Sequence, residues 1–329
     1  MSQQAPANHW SRSRKSPPSG DTIDDDSVLP FHFSRTDIRG RIARLSRTLR
    51  ELLDGRHYPS AVEPVIAETA VLTALMGQLI NPGSKLSFQI RSQGLLRMVV
   101  SDYFVSSADS APATLRVTAT FDDELRAMPA IPPLNAVKGY LAMLIDDGQG
   151  GPPYEGVTSL DGETVAGCAE NLFLRSEQIP TCFRICVGRS NGTGPTGWRG
   201  GGIALQRIPR GNSLSAAPSP IAASLKSEEW IRCTSLLATA KPTELTGPSC
   251  SQLETVYRLF HDDEPLAGRP QAIRFGCTCS REKVQQGLSI YSAKDIATMT
   301  NEQGLVIVDC HFCGARYGLE PSSLGMDTQ

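Results

Sequence analysis

The most specific spacing in this chain of 329 residues lies near its carboxyl end: Cys277-Thr278-Cys279, then thirty residues, 280 to 309, then Cys310-His311-Phe312-Cys313. Four thiolates in two close pairs are what a closed tetrahedral zinc site requires, and C-x-x-C is its familiar half. In a strand, residues i and i+2 point to one face, so both sulfurs of the C-x-C can converge on the same metal. Zinc is therefore the expected cofactor, with Cys277, Cys279, Cys310 and Cys313 as ligands. His311 could replace one of them, but with four cysteines at hand it reads as a bystander.

The same residues admit rival chemistries. A thiol-disulfide oxidoreductase would use Cys310 and Cys313 at the start of a helix that follows a strand. "LVIVDC" supplies that strand, while Gly314 fits a zinc knuckle better. A zinc-dependent nucleic-acid-binding regulator would need a positive stripe for phosphate contacts. Residues 271 to 329 instead hold five basic residues against six acidic ones. The other cysteines, Cys168, Cys182, Cys186, Cys233 and Cys250, form no ligand pattern. Cys182 and Cys186 sit four apart on one face of a predicted strand, too far for a disulfide, and read as small core residues. No Ser-His-Asp set, carboxylate pair or nucleotide loop stands at recognisable spacing, so the chain is not expected to be an enzyme. The stretch "GRSNGTGPTGWRGGG", 188 to 202, has neither phosphate-loop spacing and reads as a hairpin loop.

Composition narrows the setting. A net charge of −2 gives no overall footprint for nucleic acid or an acidic membrane. The first thirty residues contain no apolar stretch of signal-peptide length, and no run approaches a membrane span, so a soluble cytoplasmic protein is expected. Nine cysteines, an odd number, favour reduced thiols, metal ligands or a redox site over a secreted disulfide scaffold.

The elements that must position the thiols fall into four segments. Residues 1–27, rich in Ser, Pro, Asp and Gln, read as a disordered tail. Residues 28–212 read as an α+β domain with a mixed, mainly antiparallel sheet and packed helices. Within it, Ile38, Ile42, Leu45, Leu49 and Leu52 recur at helical spacing between a Thr36 cap and a Gly55 stop. Arg35, Arg39, Arg41, Arg44, Arg47 and Arg50 would then form a solvated face. A second helix is predicted from Pro64 through "VIAETAVLTALMGQL", and a third at "ETVAGCAENLFLRS". Strands are predicted at Leu86–Ile90, "LLRMVVSDYF", "TLRVTATF", "KGYLAMLI", "YEGVTSL", "TCFRICV" and "GIALQRI". Residues 213–268 read as a helical, metastable linker, with short helices at "SEEWIRCTSLLATA" and "SQLETVYRLFHDDEP" that must dock on something to persist. Residues 269–329 form the small four-cysteine zinc domain.

This arrangement suggests a switch. Same-face neighbours on a strand have Cα atoms roughly 6.6 Å apart, whereas most disulfides span about 5.5 to 6 Å, so a Cys277–Cys279 disulfide would fit the zinc-bound strand poorly. So small a module depends on its metal, which contributes on the order of 10 to 16 kcal/mol to folding. Oxidation of its thiolates would unfold it, undock the linker helices and expose apolar surface. Such an output suits a protein that captures other unfolding proteins.

"CTCSRE" with "DCHFCGARY", together with "SEQIPT" at 176–181, "GGGIALQRIP" at 200–209 and "YEGVTSLDGETVA", resembles the redox-regulated molecular chaperones of the heat-shock protein 33 family over residues 28 to 322. The resemblance implies a zinc-bound, inactive monomer when reduced, and an ATP-independent holdase that binds unfolded clients and tends to form a homodimer when oxidised. It also implies oxidised bonds Cys277–Cys279 and Cys310–Cys313, and a linker that unfolds with the zinc module and contributes to client binding. Cys233 and Cys250 lie in that linker, where opening would make them available for disulfides outside the family pattern.

Overall fold

In the computed structural model, which describes residues 25–108, 111–190, 197–208 and 225–324, the alternating stretches form strands. These are β1 (Ser27–Phe33), β2 (Ile38–Leu45), β3 (Lys85–Ser92), β4 (Leu96–Phe104), β5 (Ala113–Phe121), β6 (Gly139–Asp146), β7 (Tyr154–Ser159), β8 (Thr181–Ser190) and β9 (Gly197–Arg207). Three helices accompany them: α1 (Arg47–Leu53), α2 (Glu63–Met76) and α3 (Val165–Arg175). Three more, α4 (Glu228–Ala238), α5 (Pro242–Thr246) and α6 (Gln252–Phe260), follow, and short strands β10 (Pro265–Ala267) and β11 (Gln271–Phe275) come next. The α+β class expected from the sequence is the observed one. Residues 1 to 24 of the expected tail, 209 to 212 of the expected α+β domain, 213 to 224 of the linker, and 191 to 196 of the glycine-rich stretch lie outside the described residues.

One sheet takes in all these strands in the order β7-β6-β3-β4-β5-β11-β1-β2-β9-β8, with β10 beside β1. Every pairing among the described residues is antiparallel except β11 with β5. The sheet curls around α2, which packs on β2, β3, β4, β5, β8 and β9. That helix is apolar almost all round, as a helix enclosed by sheet must be. Its two buried threonines satisfy themselves, Thr69 and Thr73 donating to the carbonyls of Val65 and Thr69 at 2.7 and 2.6 Å.

The helix expected over 36–52 is instead a strand followed by a short helix. Ile38 and Ile42 are four apart, a spacing shared by one helix face and one strand face, and the intervening Gly40 hides the period of two. Gly40 is bare because the Phe31 ring covers it: a Cβ there would lie 2.0 Å from Phe31 Cζ. The solvated arginine face is corrected with it. Arg41 and Arg44 are buried in β2, and burial, reinforced by Arg39, lowers Arg41 to a pKa of about 10. Asp25 and Asp26, expected in the tail, belong to the fold. Asp26 accepts from the backbone N–H groups of Ser46, Arg47 and Thr48 at 2.8 to 3.0 Å, completing the start of α1.

Strands β1, β2 and β9 are buried on both faces. One face joins the main core with α1 to α3. The other presents Leu29, Phe31, Phe33, Ile38, Ile42, Ile203 and Leu205 to α4–α6. The linker thus finds its dock on the outside of the sheet, with Trp230, Leu237, Leu245, Val256 and Phe260 buried against it. The segment boundary drawn at 269 precedes β11, which pairs with β1 and β5 and is part of the main sheet. Beyond it come α7 (Arg281–Leu288), α8 (Ala293–Met299) and the hairpin of β12 (Val306–Asp309) with β13 (Arg316–Leu319).

Candidate metal centre

The strand expected to carry Cys277 and Cys279 ends at Phe275. Thr114 stands so close to Gly276 that a Cβ there would meet its side chain at 2.7 Å. The chain leaves the sheet at this point, and the two cysteines lie in irregular backbone before Ser280, which caps α7 by accepting from Lys283 N. The strand spacing that would resist a Cys277–Cys279 disulfide therefore does not apply. Cys310 and Cys313 sit in the turn after β12. Gly314 N donates to Cys310 O at 2.7 Å, and Gly314 adopts φ 70°, the left-handed conformation that closes a knuckle. A thioredoxin-like dithiol opens a helix; here the strand leads into a hairpin.

Across the two pairs, Cys277 Sγ lies 3.7 Å from Cys310 Sγ and Cys279 Sγ 3.2 Å from Cys313 Sγ. All four sulfurs lie within 4.8 Å of one another, a set that can hold a metal ion. With metal–sulfur bonds of about 2.3 Å, a zinc tetrahedron has edges of about 3.8 Å, so these sulfurs need shift only by fractions of an ångström to close on one ion. His311 is not in the set.

Electrostatics supports the same fit. Partial burial opposes ionisation of Cys279, but hydrogen bonds from Tyr317 and the neighbouring thiols outweigh it and bring its pKa down to about 7. Burial, then the adjoining Cys279, pushes Cys313 up to about 12. Without a cation the crowded thiols support one negative charge at the expense of the next. A central divalent cation removes that conflict and lets all four ionise. Tyr317 donates its hydroxyl to Cys279 Sγ at 3.1 Å, as an outer group that orients a ligand would.

The module around these thiols has little else to hold it. Among described residues 276 to 324, only Ile296, Val306 and Leu319 are buried, and α7 buries none. Its seat on the core is Arg116 of β5. This guanidinium donates to Asp102 Oδ2 at 2.8 and 2.6 Å, reaches Cys277 Sγ at 3.7 Å, and lies 4.0 Å from the centroid of the Phe312 ring. Asp102 and Arg116 are directly opposite in the β4–β5 register. No linear motif marks that pair, whereas Tyr317 lies within "DCHFCGARY". Replacing Arg116 with Ala strands the mostly buried Asp102 carboxylate, so a loss of about 3 kcal/mol is expected in denaturant unfolding, partly recovered by adding Asp102→Asn. Metal content should be unchanged, since the four thiols remain.

The remaining cysteines are dispersed. Cys168 is buried in α3, Cys182 and Cys186 pack on the linker side of β8, Cys233 is on the buried face of α4, and Cys250 is partly buried ahead of α6.

A family model described as Hsp33 protein matches residues 26–320. A "33 kDa chaperonin" of Caulobacter vibrioides is 32% identical over 309 residues, covering 90% of this chain and 95% of that protein. One from Proteus mirabilis is 29% identical over 292 residues, covering 89% and 92%. The crystal structure of the 33 kDa chaperonin (heat shock protein 33 homolog) of Thermotoga maritima superposes with a TM-score of 0.67 at 20% identity, over 91% of this chain and 96% of that one, and shares its fold. With a family match running from the first strand through the four-cysteine module, the chain belongs to the Hsp33 family of chaperones.

Proposed function

We propose that the chain is a redox-regulated, ATP-independent holdase, held inactive while Cys277, Cys279, Cys310 and Cys313 bind zinc. The observation that carries this reading is the pairing of an apolar sheet face, covered by α4–α6, with a following module that buries, among its described residues, only Ile296, Val306 and Leu319. In the proposed division, residues 28–212 form the chaperone core, 213–268 the metastable linker, with β10 and β11 lending strands to the core sheet, and the segment to 329 the switch. Zinc, when bound, supplies a positive centre that keeps four thiolates together. Peroxide takes two electrons from each pair: two thiols and one hydrogen peroxide give one disulfide and two waters. By family resemblance the bonds are Cys277–Cys279 and Cys310–Cys313. In the reduced chain the contacts Cys277–Cys310 at 3.7 Å and Cys279–Cys313 at 3.2 Å run across the pairs, and bonding within the pairs gives these contacts up. Loss of the module frees the linker, and Phe31, Phe33, Ile38, Ile42, Ile203 and Leu205 become available to unfolding clients. Oxidised chains are expected to form homodimers, a change that sedimentation would detect.

The test is peroxide with mild heat, without ATP. The reading requires release of one zinc per chain together with suppression of client aggregation; unchanged aggregation after zinc release would defeat it. A second expectation concerns Cys233. Burial, then the Asp263 carboxylate, pushes this thiol up to about 12 while α4 is docked. Release to water returns it toward its ordinary range near 8.5, so alkylation at pH 8 should accelerate on the order of 100-fold or more. Peptide mapping after peroxide will then show whether Cys233 and Cys250 enter disulfides outside the family pattern; finding both thiols free would exclude it.

A further inference from the structure

The helix α5 is five residues long, too short to persist by itself, and its last carbonyls have no partner within the helix. Those carbonyls are met by two arginines of the core sheet. Arg44 of β2, 1% exposed, donates from Nε to Leu245 O at 3.1 Å and from Nη2 to Glu244 O at 2.7 Å. The same side chain donates from Nη1 to Cys250 O at 2.5 Å and from Nη2 to Thr255 Oγ1 at 3.2 Å. Arg199 of β9, 8% exposed, donates from Nε to Thr246 O at 2.9 Å, while Ser46 Oγ and Asp25 Oδ2 hold its other nitrogens at 3.1 and 2.8 Å.

Bare backbone makes the approach possible. Gly201 lies opposite Arg44 in the β2–β9 register, and a Cβ on it would stand 2.0 Å from the Leu245 oxygen. Just past the helix, Gly247 adopts φ 65°, and its would-be Cβ lies 3.2 Å from both guanidinium groups. Two cations at a helix C-terminus complement its dipole as well as its unpaired carbonyls.

We propose that Arg44 and Arg199 form a metal-independent lock that pins the linker to the sheet, so that activation must break this polar contact as well as dissolve the cysteine module. The regulatory sense of the lock rests on the holdase reading; its mechanics do not. The arginines remain in the folded sheet when the linker leaves, ready to recapture the same carbonyls when the thiols are reduced.

The experiment compares amide exchange of the full-length, zinc-loaded chain with that of two variants. In Arg44→Met, residues 245–256 should exchange on the order of 100-fold faster, as expected from stranding buried carbonyls that had a charged donor. One zinc per chain should stay bound, and amides of β3 to β6 should be unchanged. Thr255→Val removes the acceptor of Arg44 together with the hydroxyl's own donations to Glu244 O and Ser251 O at 3.2 and 2.9 Å, and should accelerate the same amides about 10-fold. A double variant no faster than Arg44→Met ascribes that loss to the lock. Parental exchange over 245–256 in Thr255→Val overturns the lock, and that variant decides the matter if Arg44→Met fails to fold. Acceleration spread equally over β3 to β6 in Arg44→Met also overturns it, reducing Arg44 to an ordinary core residue. If the linker opens in the zinc-loaded variants the lock stands, and if those variants still fail to suppress client aggregation once peroxide with mild heat has released their zinc, the holdase reading fails.

Discussion

Chelating the metal from the reduced chain is expected to unfold residues 276 to 324 while β1 to β9 keep their protection. The magnitude follows from what the module lacks. Ile296, Val306 and Leu319 are its buried residues among those described, and β12 with β13 is a two-stranded hairpin, marginal by itself in water. The Asp309–Arg316 ion pair across that hairpin is exposed on both sides and contributes little. A structural zinc contributes on the order of 10 to 16 kcal/mol, far more than these contacts can offset. Amide exchange before and after chelation should show protection vanish from Val306–Asp309 and Arg316–Leu319, with β3 to β6 unaffected. Retained protection in the hairpin would mean that the module folds without metal and cannot serve as a switch.

The second large effect is expected at Phe260. Its ring is fully buried, 6.0 Å from the Phe31 centroid and 5.3 Å from that of Phe33, at the end of α6 where the linker meets β1. Phe260→Ala removes that contact and leaves a cavity, a change that costs about 3 to 5 kcal/mol. Because the ring belongs to the linker and its neighbours to the sheet, the loss falls on docking. The variant should bind a hydrophobic dye and lose linker protection while keeping its metal. Equal destabilisation of β3 to β6 would show instead that the linker and the core unfold as one unit.

How much of this was legible beforehand depended on the range of the interaction. The four cysteines were readable because each pair is covalently close, and the fold brings the pairs together. Helix α2 was readable from its continuous apolar run and Pro64, and β3 to β9 from alternation. Helix α1 with β2 was misread because Gly40 removes the one side chain that would have revealed the strand period; its missing volume is supplied by Phe31 from the neighbouring strand. The burial of Arg44 was invisible for a similar reason, since its partners are backbone carbonyls about two hundred residues away. Strands β10 and β11, of three and five residues, are too short to show alternation and exist because β1 and β5 offer edges to pair with. Arg116 and Asp102 meet only through strand register.

In the proposed mechanism, oxidation of Cys277, Cys279, Cys310 and Cys313 converts a metal-held module into exposed client-binding surface. That conversion is tested most directly by following zinc release and light scattering of a denaturing client in one sample, before and after peroxide with mild heat. One zinc per chain should be released and scattering by the client should fall without ATP, both reversed by reductant and added zinc. Zinc release with undiminished scattering would contradict the mechanism.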